Sequence, residues 1–149
     1  MSQIILQFST ERAISSWLIR WFTWSDWSHI DIALDDGTLL GARSDGGVQI
    51  RPANYAAFSK TVRYSVDCTE EQEARFMEAA TSQIGTPYNF LGLLNFMFHR
   101  DWRKTTDWFC SELVAWCFEQ AGLPLLNPVV PVQRITPQDV LLSCRMRSM

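Results

Sequence analysis

The hydrophobic positions change period along the chain, and each change marks an expected element. The run "QIILQF" (3–8) is apolar and β-branched enough to predict a strand. In "STERAISSWLIRWF" the period shifts: Ser9 or Thr10 is placed to cap a helix, and Ile14, Trp17, Leu18 and Trp21 recur at helical spacing. That aromatic stripe reads as core packing, as the wall of an apolar substrate groove, or as a membrane-facing patch. "SHIDIAL" (28–34), the turn "DDG" and "TLLGAR" (38–43) predict a β-hairpin with Asp-Gly turn chemistry. "SDGG" (44–47) turns into "VQIRP", and "TVRYSV" (61–66) predicts a further strand. The first half is therefore expected to be an antiparallel meander.

The second half carries helical signals. Thr69 with Gln72 forms a capping-box pattern ahead of "EEQEARFMEAATSQIG", which Gly85 and Pro87 should end. "NFLGLLNFMFHR" predicts a short apolar helix, and "HRDWRKTTD" a polar loop. A helix is expected from about Phe109 to Ala121, stopped by Gly122 and Pro124. Finally, Thr136 caps and Pro137 takes the first helical position of a short closing helix. Strands followed by helices, with no separating linker, predict a single α+β domain over residues 1–149.

Composition narrows the function. The chain is 47% hydrophobic and 19% charged, which supports a core and excludes a disordered class. The net charge is −3 and no basic stripe occurs, so nucleic acid is not expected as a partner. No apolar run approaches the roughly 20 residues of a membrane span. "MSQIILQFSTER" lacks the basic n-region of a signal peptide, so a cytoplasmic location as synthesised is expected. The cysteines, Cys68, Cys110, Cys117 and Cys144, are too dispersed for a disulfide scaffold and fit free thiols. There is no CxxC, and His29 and His99 lie far apart, so neither a metal site nor a cofactor is expected.

Candidate chemistry concentrates in "TDWFCSELVAWCFEQAG" (106–122). With Asp107 as N-cap, Cys110 falls within the first helical turn. There the macrodipole and unpaired N–H groups favour a thiolate and can hold an oxyanion. Val114 and Cys117 continue its face toward the interior, and Cys117 reads as core filler. A nucleophilic thiol needs a base, and His29, opening a strand after Ser28, is the imidazole best placed to supply one. Glu112, about 200° around the helix from Cys110, is expected to point away in a structural role. His99 reads as a solvated residue near a helix end, and Arg43 and Arg51 read either as scattered surface charges or as contacts for an acidic substrate group.

"SHIDIAL", "LLGA", "GTPYN", "WFCSELV" and "ITPQDV", in that order, resemble the circularly permuted NlpC-like papain-fold families. These include YiiX-like and lecithin:retinol acyltransferase-like proteins. In the permuted branch the histidine precedes the cysteine, as it does here. The stretch "GARSDGGVQIRP" also resembles small phage or prophage proteins of this group.

The resemblance implies a papain-like antiparallel sheet packed against helices, with Cys110 as nucleophile and His29 as general base. The family's third polar residue falls about a dozen positions after the histidine, where this chain has Gly41. Glycine cannot orient an imidazole. Asp31 shares a strand face with His29 and is the candidate replacement, though it reads equally as a solvated strand residue; Asp45 is a weaker candidate. Tyr88, in "PYN", is expected either to line the cleft as a substrate contact or to cover the core.

The implied activity is cysteine-dependent hydrolysis of an amide through a thioester acyl-enzyme. A bacterial cell-wall peptide is the leading substrate, reached by a phage route if the chain is phage-encoded. A lipid acyltransferase or thioesterase of the same fold is an alternative. A non-catalytic binding or virion component is another, and Gly41 lends it weight.

Overall fold

The structure, a computed structural model, describes residues 1–12, 26–87, 110–126, 135–143 and 145–149. Their elements are β1 (Ser2–Glu11), β2 (His29–Ala33), β3 (Leu39–Arg43), β4 (Gly47–Arg51), β5 (Phe58–Cys68), α1 (Glu70–Ser82), α2 (Cys110–Gln120), α3 (Pro137–Leu141) and β6 (Arg147–Ser148). The strands form one antiparallel sheet in the order β4-β3-β2-β1-β5-β6.

The expected meander covers β1 to β4 and then breaks. Instead of extending the sheet beyond β4, β5 returns to the far side of β1 and pairs with it from Ser2↔Cys68 to Glu11↔Phe58. The long N-terminal strand thus becomes central. Ser9 and Thr10 belong to this strand and do not cap a helix: Ser9 pairs with both His29 and Thr61. A local Ser/Thr cap signal is outcompeted there by strand partners on both sides. The helix expected around Trp17 and Trp21, the apolar helix after residue 89, and the positions of Trp24, Asp107 and Cys144 lie outside the described residues.

Alternation along the strands sorts the sheet into two faces. Ile4, Leu6 and Phe8 of β1, Ile30 and Ile32 of β2, Leu40 and Ala42 of β3 and Val48 of β4 join the buried apolar core with residues of α1 and α2. The helices meet through Phe76 and Phe118, whose ring centroids are 4.6 Å apart. Each fully buried side chain of this size contributes roughly 1.5–3 kcal/mol. The residues in between, His29, Asp31 and Gly41, fall on the opposite parity.

The caps at Thr69 and Thr136 and the stop at Gly122 are those the chain predicts. Thr69 and Gln72 form a reciprocal capping box on α1, and Thr136 and Asp139 do the same on α3, with Pro137 in its first turn. Helix α2 stops at Gly122 (φ 71°): Gly122 N–H donates to Glu119 O, and Leu123 N–H donates to Phe118 O at 2.8 Å. This is a Schellman closure, which places a glycine where φ must be positive. At the sheet edge, Val48 N–H donates to Thr86 O and Gly85 N–H donates to Val48 O, both at 2.9 Å. The chain after α1 thereby covers part of the open edge of β4. A Cβ on Gly47 would lie 2.1 Å from Thr86 O, so this approach requires glycine.

Candidate active site

Strand β2 and the start of α2 build the site. His29 and Asp31 stand two residues apart on one strand, and so on one face. His29 Nε2 and Asp31 Oδ1 are 2.8 Å apart, and the two side chains are 8% and 1% exposed. Cys110 opens α2 among the described residues. Its side chain is the ring's other partner, by charge and by hydrogen bond. With Nε2 committed to Asp31, Nδ1 is the ring nitrogen left for the sulfur. The sequence-predicted Cys110, His29 and Asp31 are thus brought together. Asp31 is not a solvated strand residue.

The electrostatics follow from burial plus pairing. Burial alone would push the His29 pKa down. The Asp31 carboxylate and the Cys110 sulfur outweigh it, through charge and hydrogen bonds, and raise the pKa from 6.5 to about 10. Burial likewise disfavours the Asp31 carboxylate. The His29 charge, hydrogen bonds from His29 and Tyr55, and the Arg43 charge reverse that and hold its pKa below the usual carboxylate value. At neutral pH the arrangement stabilises an imidazolium between a carboxylate and a sulfur.

Gly41 acquires a physical reason. It lies on β3 next to the Ile32↔Leu40 pairing. A Cβ built there would sit 2.1 Å from Asp31 Oδ1 and 3.2 Å from its Cγ. The Asp31 carboxylate therefore occupies the space that a side chain at position 41 would need. The carboxylate beside His29 thus comes from the histidine's own strand, and the neighbouring strand carries no side chain at position 41 to compete with it.

Tyr55, in the connection between β4 and β5, was not singled out in the sequence. Its hydroxyl donates to Asp31 Oδ2 at 2.6 Å, so each carboxylate oxygen has its own partner. Arg43 Cζ lies 4.7 Å from the centre of the Tyr55 ring and Arg51 Cζ 5.7 Å. Neither arginine is a loose surface charge. Arg43 pairs with Glu11 and with Asp45, and Arg51 donates to the carbonyls of Gly41 and Gly47 at 3.1 Å each. Asp45 belongs to this outer cluster and leaves the orienting position to Asp31. Glu112 is buried. Tyr88 and His99 lie outside the described residues. No local signal in the chain points to Tyr55, because a tyrosine in a polar loop has no periodicity to betray its contact.

Among the described residues, no group of three His, Cys, Asp or Glu side chains is placed to hold a metal ion. No described helix is long and apolar enough to cross a membrane.

Comparison with known proteins agrees with this geometry. Residues 6–141 match the family model described as permuted papain-like amidase enzyme, YaeF/YiiX, C92 family. The fold resembles the crystal structure described as metalloprotein YiiX from Escherichia coli O157:H7, with a TM-score of 0.75 at 20% identity. The superposition covers 99% of this chain and 96% of that one. Curated proteins yield no match. Neither match carries the phage origin that the "GARSDGGVQIRP" stretch suggested.

Proposed function

The chain belongs to the permuted papain-like amidases of the C92 family, and on that premise we propose that Cys110, His29 and Asp31 carry the hydrolysis. His29 holds the proton of the Cys110 thiol as imidazolium, and Asp31 fixes the ring and its charge. The sulfur attacks an amide carbonyl, forming a C–S bond as the carbonyl π electrons move to oxygen. N–H groups at the start of α2 would donate to that oxyanion. Collapse of the tetrahedral species breaks the C–N bond, and the imidazolium gives its proton to the leaving amine. Water, deprotonated by the neutral imidazole, then adds to the thioester and releases the acid and the thiol.

The observation that carries this reading is the closed line of contacts from the Cys110 sulfur through the His29 ring to the Asp31 carboxylate, all buried. The Asp31 carboxylate, in the space that a side chain at position 41 would need, supports the catalytic reading over a non-catalytic scaffold. The similar YiiX structure is described as a metalloprotein, and among the described residues of this chain no group of three His, Cys, Asp or Glu side chains is placed to hold a metal ion.

We take the substrate to be a peptide amide, with bacterial cell-wall stem peptides the leading candidates. The test is a panel of cell-wall peptides, other peptides and acyl lipids incubated with the protein, read by mass spectrometry. Hydrolysis of a peptide bond is expected, and Cys110→Ala should abolish it. Turnover that survives Cys110→Ala refutes the assignment, and turnover of acyl lipids alone replaces the amide with an ester.

A further inference from the structure

We propose that Tyr55 is a positioning residue of this site, holding the Asp31 carboxylate in the one orientation that serves His29. The proposal rests on the catalytic reading above.

A carboxylate two residues from the imidazole on a strand has rotational freedom about χ2 unless both oxygens are held. Asp31 Oδ1 faces His29 Nε2 at 2.8 Å, and Oδ2 takes the Tyr55 hydroxyl at 2.6 Å. The carboxylate is 1% exposed, so water does not substitute for either partner. Space and donor are therefore arranged together: Gly41 clears the volume, and Tyr55 from a different segment fills the remaining lone pair.

Tyr55 is itself held. Its ring lies against the Arg43 and Arg51 guanidiniums and edge-on to Phe58, at 5.2 Å between centroids. Arg43 is anchored in turn by Glu11 on β1 and by Asp45 in the β3–β4 turn. The charged and titratable groups around the carboxylate are thus His29 on β2, with Cys110 of α2 beyond it, then Tyr55, Arg43 on β3, and Arg51, Glu11 and Asp45 in the outer ring. Burial and the adjacent Asp31 charge raise the Tyr55 pKa, so the phenol stays a donor over the working range. The two arginines and two acids of the outer ring compensate one another, so the ring acts as a mount for Tyr55.

The test is a 15N NMR titration of His29 in parent protein, Tyr55→Phe and Asp31→Asn. The phenylalanine keeps the ring and its stacking against the guanidiniums, and removes the hydroxyl, which donates to Asp31 Oδ2 and accepts from Arg43 Nη1 at 3.5 Å. A hydrogen bond to a charged group is strong enough to move the His29 midpoint by about one pH unit. The proposal expects a downward shift of that size in Tyr55→Phe and a larger one in Asp31→Asn. A Tyr55→Phe midpoint equal to the parent's overturns it.

A second measurement needs no variant. In tyrosine-labelled parent protein the Tyr55 hydroxyl proton should exchange slowly with solvent, and fast exchange overturns the proposal. If alkylating Cys110 with iodoacetamide leaves the parent's His29 midpoint unmoved, the catalytic reading fails, and this inference fails with it. A coupled His29 that is indifferent to Tyr55→Phe sinks the Tyr55 role alone.

Discussion

Cys110 and Cys117 stand seven residues apart on the same helix, and both are buried. Two full helical turns bring them back to nearly one face. Their surroundings nevertheless differ in kind. Cys117 sits within the apolar core, and burial alone pushes its thiol up to about 12, which keeps it protonated and inert. Cys110 lies outside that core cluster and against His29. Burial by itself therefore does not decide what a cysteine does. The partner does, and the partner, His29, is supplied by a strand 81 positions earlier in the sequence.

The contrast is most sharply broken at the partner. His29→Gln removes the imidazole and leaves Cys110 in surroundings closer to those of Cys117. Amide hydrolysis should fall by about 10²–10⁴-fold, the usual worth of a positioned acid–base group, in steady-state assays on whichever panel substrate is turned over. A residual rate near the parent's would show that the thiol needs no base.

Gly41→Ala attacks the same partner indirectly. The new methyl needs the space of Asp31 Oδ1, so the carboxylate must turn away from His29. Overpacking of this kind costs about 1–3 kcal/mol of stability, and activity should drop at least about 10-fold as the ring loses its anchor. Thermal melting and rate measurements on one preparation check both, and an alanine variant with parental activity would show that the carboxylate has room elsewhere.

Stability should also follow pH in a definite sense. The His29 pKa is raised from 6.5 to about 10 on folding, so its stabilisation is fully present below 6.5 and is lost as pH rises through about 10. The Asp31 pKa is lowered, so its contribution is present above the unfolded carboxylate value of 3.8 and is lost as pH falls through the folded one. Denaturant melts between pH 6 and 10.5 should show a decline on the order of 1–3 kcal/mol that His29→Gln largely removes. A flat profile in the parent would contradict the coupling.

The smallest effect belongs to the other cysteine. Cys117→Ala should cost about 1 kcal/mol through a small cavity, leave hydrolysis unchanged, and leave Cys110 as the thiol that iodoacetamide labels first. Cys117→Ser should cost more, because it buries a hydroxyl among hydrocarbon. Loss of activity in Cys117→Ala would erase the distinction between the two positions.

The sheet shows where local reading ends. The capping box at Thr69, the cap at Thr136, the Asp-Gly hairpin turn before β3 and the glycine stop after α2 rest on neighbours within a few positions, and all were legible. The return of β5 to β1 was not, since it depends on pairings up to 66 positions apart, Ser2↔Cys68 among them. The same competition took Ser9 and Thr10 from a predicted cap into the central strand. Tyr55 was invisible for a related reason: its hydroxyl meets Asp31 across 24 positions of chain, through a loop with no repeating pattern.

The amino-acid order alone determined the hairpin turn before β3, the caps at Thr69 and Thr136, the glycine stop after α2, and which thiol and which imidazole were chemically worth pairing, because periodicity, capping and turn chemistry act over a few residues. Only the tertiary structure decided that a carboxylate from β2 would take the place left open by Gly41, and that a loop tyrosine would close its second oxygen. Those choices depend on which strands lie side by side and how much volume remains between them, and volume is a property of the packed chain.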